Sequence, residues 1–142
     1  MPVILRQIGP CFAAEVQGID LSRPLSPDEI AAIHAGMDRY AVLVFRDQHL
    51  TDDAQRAFTR NFGTLEASPG GHIATAAERR LPLDMQDASN LDKDQKPLAR
   101  DDRRRMFNLG NRLWHSDSSY RAVPAKWSLL SARTSTWCPV TR

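Results

Sequence analysis

Membrane spans, an export signal and a disulfide framework are all missing from this sequence. No apolar run approaches the roughly 18 residues that a membrane span requires, and the N-terminus MPVILRQIGP lacks the layout of a signal peptide. Only two cysteines occur, Cys11 and Cys138, and a single distant pair in such a chain predicts free thiols. We therefore expect a cytoplasmic protein without a membrane partner.

A strong charge of either sign is also lacking. The formal net charge is +2, and 42% hydrophobic with 7% aromatic residues is ordinary for one soluble globular domain of 142 residues. Arginines do cluster at Arg100 and residues 103–105, but Asp101 and Asp102 interrupt them and no aromatic residue lies among them. The cluster indicates a solvated or substrate-steering face, and no nucleic-acid partner is expected.

The first 40 residues predict two strands and a helix. Residues 3–8 and 12–17 have strand character and are separated by a Gly9-Pro10 turn. Ser26 can cap a helix whose capping box Glu29 completes, and the helix should end near residues 39–40. Its apolar face is expected to hold Ile30, Ile33 and Met37. His34 would lie on this helix's surface.

A buried strand and a second helix should follow. Residues 40–45 are continuously apolar or β-branched, which predicts a central strand buried on both faces. His49 would lie in a loop. Thr51 or Asp52 can cap the helix and Gly63 can stop it. Its shared face is expected to hold Ala54, Ala57, Phe58 and Phe62.

Residues 67–105 are poor in large apolar side chains and carry a Pro-Gly-Gly turn. One interpretation is a long exposed segment with a short strand near residues 83–85, ending directly in a barrel strand. The other is a substrate lid, because binding groups tend to lie on long loops over a rigid scaffold. The sequence leaves both open.

His115 and Asp117 form the tightest grouping of metal-competent side chains in the chain. In a β-strand, side chains two residues apart leave the same face, so an imidazole and a carboxylate could converge on one ion. Trp114 would then face away and pack, as would Trp127, Leu129 and Leu130. One nitrogen and one hard oxygen, with open positions, suit Fe(II). The spacing alone is weak support, so its setting matters.

The setting is specific. The runs GNRLWHSDSSYR and PAKWSLLSA, at residues 110–121 and 124–132, resemble the iron-binding core of the TauD/TfdA family of Fe(II)/2-oxoglutarate-dependent dioxygenases. Within that family they are most similar to the branch that oxidises 2,4-dichlorophenoxyacetate. The runs AAEVQGIDLSRPLS, AVLVFRDQHL and FTRNFGTLE resemble the family's opening in the same order. The resemblance therefore extends over nearly the whole chain to about residue 133.

The resemblance implies both a fold and a reaction. The fold would be mixed α+β, the N-terminal part of a double-stranded β-helix (a jelly roll of the clavaminate synthase type) with flanking helices. Fe(II), 2-oxoglutarate and O2 would be used to hydroxylate a small anionic acid, giving succinate and CO2. For an aryloxyacetate the hydroxylated product would break down to a phenol and glyoxylate.

The resemblance also assigns roles to individual residues. His115 and Asp117 would be catalytic metal ligands, and the substrate would be met by Asn111, Lys96 and Arg100. Asn111 can equally be a turn residue, and Lys96 and Arg100 can equally be solvated. His72 lies in a segment that contacts substrate in sulfonate-using relatives, but the surrounding match is poor.

After Arg133 the family resemblance stops. The family continues with a Pro-Pro turn and a G-G-x-T-E-F segment, whereas this chain reads TSTWCPVTR. We expect residues 1–133 to be the N-terminal portion of the dioxygenase domain and 134–142 a divergent tail, owing to a frameshift, a premature stop or a truncated gene model. The third metal ligand and the groups that anchor 2-oxoglutarate would then be missing, leaving an inactive fragment.

Two other kinds of function remain open at this point. One is a non-catalytic metal-binding or interaction module that associates with an intact paralogue, and homo-oligomers are open as well. The other is an isomerase or hydrolase of the cupin type, which uses the same barrel with another metal. Succinate release coupled to O2 uptake would separate the dioxygenase from both.

Overall fold

The computed structural model describes residues 2–67 and 73–133 and divides the chain into two units, Met1–Leu65 and Glu66–Arg142. The first unit contains the strands β1 (Ile4–Gln7), β2 (Ala14–Gln17) and β3 (Leu43–Phe45) and the helices α1 (Pro27–Tyr40) and α2 (Asp52–Arg60). The second contains α3 (Arg103–Asn108) and a 3₁₀ helix (Leu109–Arg112). No helix in these described ranges is both long enough and apolar enough to cross a membrane.

A three-stranded sheet organises the first unit. Strands β1 and β2 pair antiparallel, with Ile4 opposite Gln17 and Gln7 opposite Ala14, on either side of the predicted Gly9-Pro10 turn. Strand β3 pairs parallel to β2, with Ala14 opposite Leu43. The order is β1-β2-β3, so β2 is the central strand. Ala14 and Val16 of β2 point into the core and are 0% and 5% exposed.

The prediction of a central strand at residues 40–45 is wrong. Strand β3 begins only at Leu43, is half-buried, and lies at one side of the described sheet. The reason is the end of α1: Ala41 takes a left-handed conformation with φ 60° and donates its N–H to the carbonyl of Met37. Residues 40–42 are therefore used to close the helix and turn the chain.

Helix α1 begins as its sequence predicts. The Ser26 hydroxyl accepts a hydrogen bond from the Glu29 N–H, and the Glu29 carboxylate accepts one from the Ser26 N–H at 2.7 Å, which completes the capping box. The buried face is centred on Ile33, which is 3% exposed, with Gly36 beside it. Ile30 and Met37 are half-buried, so they flank this face.

Helix α2 is capped by Thr51, whose hydroxyl accepts a hydrogen bond from the Ala54 N–H at 3.2 Å. Phe58 is its buried anchor and makes edge-on contacts with Phe45 and Phe62 at ring-centroid distances of 5.9 and 5.1 Å. Ala57 is exposed, so its predicted place on this face is wrong. The face of α2 that packs is therefore aromatic.

Two histidines and one cysteine of the first unit lie away from any chemical grouping. His34, predicted on the helix surface, is half-buried on α1, and its ring packs edge-on to Phe62 at 5.5 Å. His49 is an exposed loop residue, as predicted, and Cys11 is an exposed free thiol. Cys138 lies outside the described residues.

The second unit is mostly turns between residues 73 and 102. The strand predicted near residues 83–85 is wrong, because the Met85 N–H closes a turn on the carbonyl of Pro82 at 3.0 Å. A single bridge joins Leu91 and Pro97 in this stretch. The arginine run does not end in a strand either: it forms α3, which Asp102 caps. Mixed α and β structure with a small sheet is confirmed, and the jelly roll stays a prediction.

Candidate metal site

The segment that carries His115 and Asp117 is not a strand in the structure. Residues 113–116 have no regular structure and 117–120 form a turn, so the predicted strand is wrong. Ser118 adopts φ 55°, and its carbonyl accepts a hydrogen bond from the Arg121 N–H at 3.0 Å. A strand needs a hydrogen-bonded neighbour, and none pairs with these residues in the described chain.

The turn nevertheless brings the two side chains together. The Nε2 atom of His115 lies 3.1 Å from Oδ1 of Asp117, and the side chains are 44% and 56% exposed. Two ligands at about 2.1 Å from one ion, at right angles, would be about 3.0 Å apart. Without a bound metal the contact is an ion pair between the protonated imidazole and the carboxylate, and its length also matches the separation of two neighbouring ligands on one metal.

The other ring nitrogen of His115 contacts the backbone. Its Nδ1 lies 2.7 Å from the carbonyl oxygen of Leu113. This hydrogen bond, together with the negative charge of Asp117, raises the pKa of His115 above its ordinary value. Histidine ligands commonly use one nitrogen for the metal and give the other to a carbonyl or carboxylate. The donor set thus fits a divalent metal such as Fe(II).

Among the described residues, no third ligand lies near this pair. The described ranges contain no group of three or more His, Cys, Asp or Glu side chains placed to hold an ion. His115 and Asp117 would therefore be two ligands of a site with positions left open.

The predicted packing role of Trp114 is wrong. The residue is 106% exposed, so its ring packs against no core formed by the described residues. Trp127 is half-buried, with the Lys126 ammonium 5.1 Å from its ring centre. Leu129 is half-buried but Leu130 is 87% exposed, so the packing prediction holds for only part of this segment.

The predicted substrate residues are all exposed. Asn111 lies in the 3₁₀ helix Leu109–Arg112, not in a turn before a strand. Lys96 sits in a loop where its N–H donates to the Asp92 carboxylate at 2.8 Å, and Arg100 lies in a turn before α3. The hydrogen bonds and ion pairs of the described residues do not join any of the three to His115 or Asp117. His72 lies outside the described ranges.

Comparison with known proteins identifies the family. A model of the "Taurine catabolism dioxygenase TauD, TfdA family" matches residues 5–136, which is nearly the entire chain. The chain belongs to the TauD/TfdA family. The family predicted from the WHSDSS run and its neighbours is therefore confirmed.

Several TauD/TfdA relatives are similar over most of this chain. It is 43% identical over 134 residues to the alpha-ketoglutarate-dependent 2,4-dichlorophenoxyacetate dioxygenase of Cupriavidus pinatubonensis (strain JMP 134 / LMG 1197), covering 93% of this chain and 46% of that protein. It is 40% identical to the enzyme of the same name from Burkholderia sp. (strain RASC), covering 93% of this chain and 44% of that protein. The chain thus spans less than half the length of these relatives.

A solved structure resembles the fold as well. The crystal structure of AAD-2 in complex with Mn(II) and N-oxalylglycine superposes with a TM-score of 0.80 at 50% sequence identity. The match covers 88% of this chain and 43% of AAD-2. The described elements therefore have counterparts in the fold of AAD-2.

The structure also shows a polar cluster that the sequence did not reveal. The Arg80 guanidinium donates two hydrogen bonds to Asp87, both at 2.7 Å, and a third to the Ser89 hydroxyl. The Asn108 amide donates to the carbonyls of Asp87 and Ser89 at 3.3 and 2.8 Å. Burial favours the neutral acid of Asp87, but the bonds from Arg80 and Ser89 outweigh it and lower the pKa.

This cluster borders a cavity of about 90 Å³ and ties α3 to the preceding loops. A second tie is made by Arg103, which donates to the Ile73 carbonyl and to Glu78, both within 2.7 Å. The hydrogen-bonded residues in these two sets of contacts lie 7 to 30 residues apart in the sequence. No motif spacing marks contacts of that kind, which is why the sequence did not indicate them.

Proposed function

We propose that this chain supplies two metal ligands of an Fe(II)- and 2-oxoglutarate-dependent dioxygenase that oxidises a small aryloxyalkanoic acid such as 2,4-dichlorophenoxyacetate. The observation that carries the proposal is the His115–Asp117 pair, 3.1 Å apart. It is supported by 43% identity to a 2,4-dichlorophenoxyacetate dioxygenase. The products would be a phenol, glyoxylate, succinate and CO2. We further propose that the described elements form part of the N-terminal portion of a jelly roll.

In this proposal His115 binds the metal through Nε2 and Asp117 through a carboxylate oxygen. The carboxylate also neutralises part of the metal's charge. When bound, Fe(II) would supply the oxygen-activating chemistry that 2-oxoglutarate and O2 complete. The chain's own residues hold the ion and leave positions open for those two reactants.

Recognition of the substrate carboxylate is assigned to Lys96 and Arg100. Both are exposed, and neither takes part in an ion pair within residues 73–133. Several other basic groups of the second unit are already neutralised, among them Arg80 by Asp87, Arg103 by Glu78 and Arg104 by Asp102. An unpaired exposed cation can meet an anionic substrate without first breaking an ion pair. Asn111 is proposed as a neutral contact to the same substrate.

A chimaeric enzyme tests this function. Residues 5–133 of this chain would replace the aligned segment of the Cupriavidus relative, and succinate formation would be followed with Fe(II), 2-oxoglutarate, O2 and a panel of phenoxyacetates. We expect succinate that depends on the phenoxyacetate. His115→Ala and Asp117→Ala in the chimaera should each abolish turnover and weaken Fe(II) binding.

The control is the exposed His49→Ala variant, which should retain full turnover. A folded chimaera that forms no substrate-dependent succinate would refute the function. Unchanged turnover in either ligand variant would exclude that residue as a ligand. A preference for a sulfonate over the matching carboxylate would overturn the substrate assignment.

A further inference from the structure

The turn that carries Asp117 has a backbone conformation that serine does not favour. Ser118 has φ 55°, which lies in the left-handed region that residues other than glycine adopt at a cost. The Arg121 N–H closes the turn on the Ser118 carbonyl at 3.0 Å. A residue in this region keeps its conformation where the surrounding structure holds it there. The turn therefore needs support from another part of the chain.

The side chain of Arg121 supplies that support. One guanidinium nitrogen lies 2.8 Å from a carboxylate oxygen of Glu66, and another donates to the Ala67 carbonyl at 3.1 Å. Arg121 and Ala67 are 54 residues apart in the sequence. In the described chain, the hydrogen bonds and ion pairs that join residues 113–121 to a residue before position 103 are all made by Arg121.

The exposure of this contact indicates a local role. The Arg121 and Glu66 side chains are 33% and 39% exposed, and ion pairs open to water contribute little to overall stability. A planar guanidinium that meets two acceptors on adjacent residues nevertheless fixes direction as well as distance. The contact is therefore suited to setting the geometry of the turn more than to keeping the unit folded.

We propose that Arg121 is a positioning residue, whose contact with Glu66 and Ala67 holds the turn that places His115 and Asp117 side by side. The metal role of this pair rests on the proposed function, but the turn exists before any metal binds. Groups that hold ligands in place typically change metal affinity by about 10- to 100-fold. Arg121 makes no hydrogen bond or ion pair with either ligand in the described chain, so the lower end applies.

The first measurement is NMR of the 142-residue chain without metal. A positive φ brings a residue's own amide and Hα protons close together, so Ser118 should show a strong NOE between them. A second NOE should join the His115 ring to the Hβ protons of Asp117. Arg121→Gln should weaken both NOEs. Glu66→Gln keeps the bond from Arg121 to the Ala67 carbonyl and should weaken them less.

Arg103→Gln is the matched control. Arg103 makes the same kind of contact elsewhere in this unit, since it donates to the Ile73 carbonyl and to Glu78. Its loss should leave both NOEs as they are in the parent chain. A parent chain without the Ser118 NOE, parent-like NOEs in Arg121→Gln, or an equal loss in Arg103→Gln would overturn the proposal.

A double variant tests whether Arg121 and Glu66 act through one contact. Arg121→Gln combined with Glu66→Gln should weaken the NOEs no more than Arg121→Gln alone, because the same contact is removed in both. Additive losses would overturn the proposal. If Arg121→Gln does not fold, Glu66→Gln decides in its place, and parent-like NOEs in that variant would overturn the proposal.

A Co(II) titration of the same chains distinguishes this proposal from the proposed function. The dissociation constant should rise about tenfold in Arg121→Gln and stay at the parent value in Arg103→Gln. Unchanged Co(II) affinity in an Arg121→Gln chain that has lost the NOEs would overturn the positioning role. A parent chain that shows both NOEs but binds no Co(II) would count against the metal function and leave the positioning role supported.

Discussion

Glu29 illustrates how much one carboxylate can fix at the residue scale. Its carboxylate lies in the first turn of α1. It accepts a hydrogen bond from the Arg23 guanidinium at 3.2 Å and another from the Ser26 N–H at 2.7 Å. These bonds, that from Arg23 first, lower the pKa of Glu29 from 4.5 to about 2. The carboxylate thereby joins the loop before α1 to its first turn.

The lowered pKa of Glu29 predicts a pH dependence of folding. A carboxylate with a lower pKa in the folded state stabilises fully above its ordinary pKa, and this contribution is lost as the pH falls through the folded value. Stability should therefore decline between about pH 4.5 and pH 2. Urea unfolding across this range should show a weaker decline for Glu29→Gln than for the parent chain.

Asp28→Asn is the matched control for Glu29, since Asp28 is an exposed acidic residue in the same helical turn. It should keep the decline of the parent chain. An identical pH dependence in the parent chain and in Glu29→Gln would show that the Arg23 and Ser26 bonds do not contribute to folding.

Lys96 gives a second prediction at the residue scale. Charge reversal, Lys96→Glu, in the chimaera should raise KM for a phenoxyacetate far more than it lowers kcat, because an interaction present equally in the ground and transition states would be lost. Lys93→Glu changes an exposed lysine of the same loop and should leave KM unchanged. A fall in kcat at constant KM would contradict binding of the substrate carboxylate by Lys96.

The site was predictable from the sequence in its chemistry but not in its backbone. The WHSDSS motif at residues 114–119 singled out His115 and Asp117, and the structure does bring these two side chains together. The sequence could not show that a turn around Ser118 does this instead of a strand, because strand pairing depends on distant partners. It also gave no sign of the Leu113 carbonyl, since every residue carries one.

At the scale of elements, predictions succeeded where local signals were complete. Ser26 and Glu29 defined the start of α1 through side-chain bonds made within four residues. Helix α3 was missed because its sequence RRRMFN has no apolar stripe and all of its residues are exposed or half-buried. It is held instead by two polar contacts. The Asp102 carboxylate accepts from the Arg104 N–H at the first turn, and the Asn108 amide at the last turn donates to the Ser89 carbonyl of the preceding loop.

Helix α2 depends on one aromatic side chain. Phe58 is 8% exposed and packs against Phe45 of β3 and Phe62 beyond the helix. Phe58→Ala should lower the free energy of unfolding by about 3–5 kcal/mol, because it removes a buried ring and leaves a cavity. Chemical denaturation measures this loss. If the alanine variant does not fold, Phe58→Leu can be measured in its place, and it should cause a smaller loss.

Phe12→Ala is the control for Phe58, because Phe12 is 58% exposed. Its effect should stay within about 0.5 kcal/mol. Equal losses for the two phenylalanines would mean that the aromatic contacts of α2 do not anchor it to the sheet.

At the scale of the whole molecule, the second unit exposes many large apolar side chains. Trp114 is 106% exposed, Val123 81% and Leu130 87%, all in the segment that carries His115 and Asp117 or directly after it. From Ala125 to Ala132 half-buried and exposed residues alternate, as they would in a strand, yet these residues pair with no other described strand. Unpaired extended backbone beside apolar side chains favours association.

The 142-residue chain should therefore self-associate as its concentration rises, which sedimentation velocity can measure. Replacing Leu130 and Val123 with lysine should reduce association, because charge on an exposed extended segment opposes edge-to-edge pairing. Ser128→Lys places a charge at another exposed position of the same segment, without removing an apolar side chain.

Comparison of the two lysine variants separates apolar contact from charge. If the exposed leucine and valine drive association, the double variant should be mainly monomeric while Ser128→Lys remains associated. If Ser128→Lys is equally effective, repulsion along the unpaired backbone is sufficient and apolar contact is not needed. A parent chain that stays monomeric over the whole concentration range would contradict the prediction, since the exposed side chains would then be tolerated as on an ordinary protein surface.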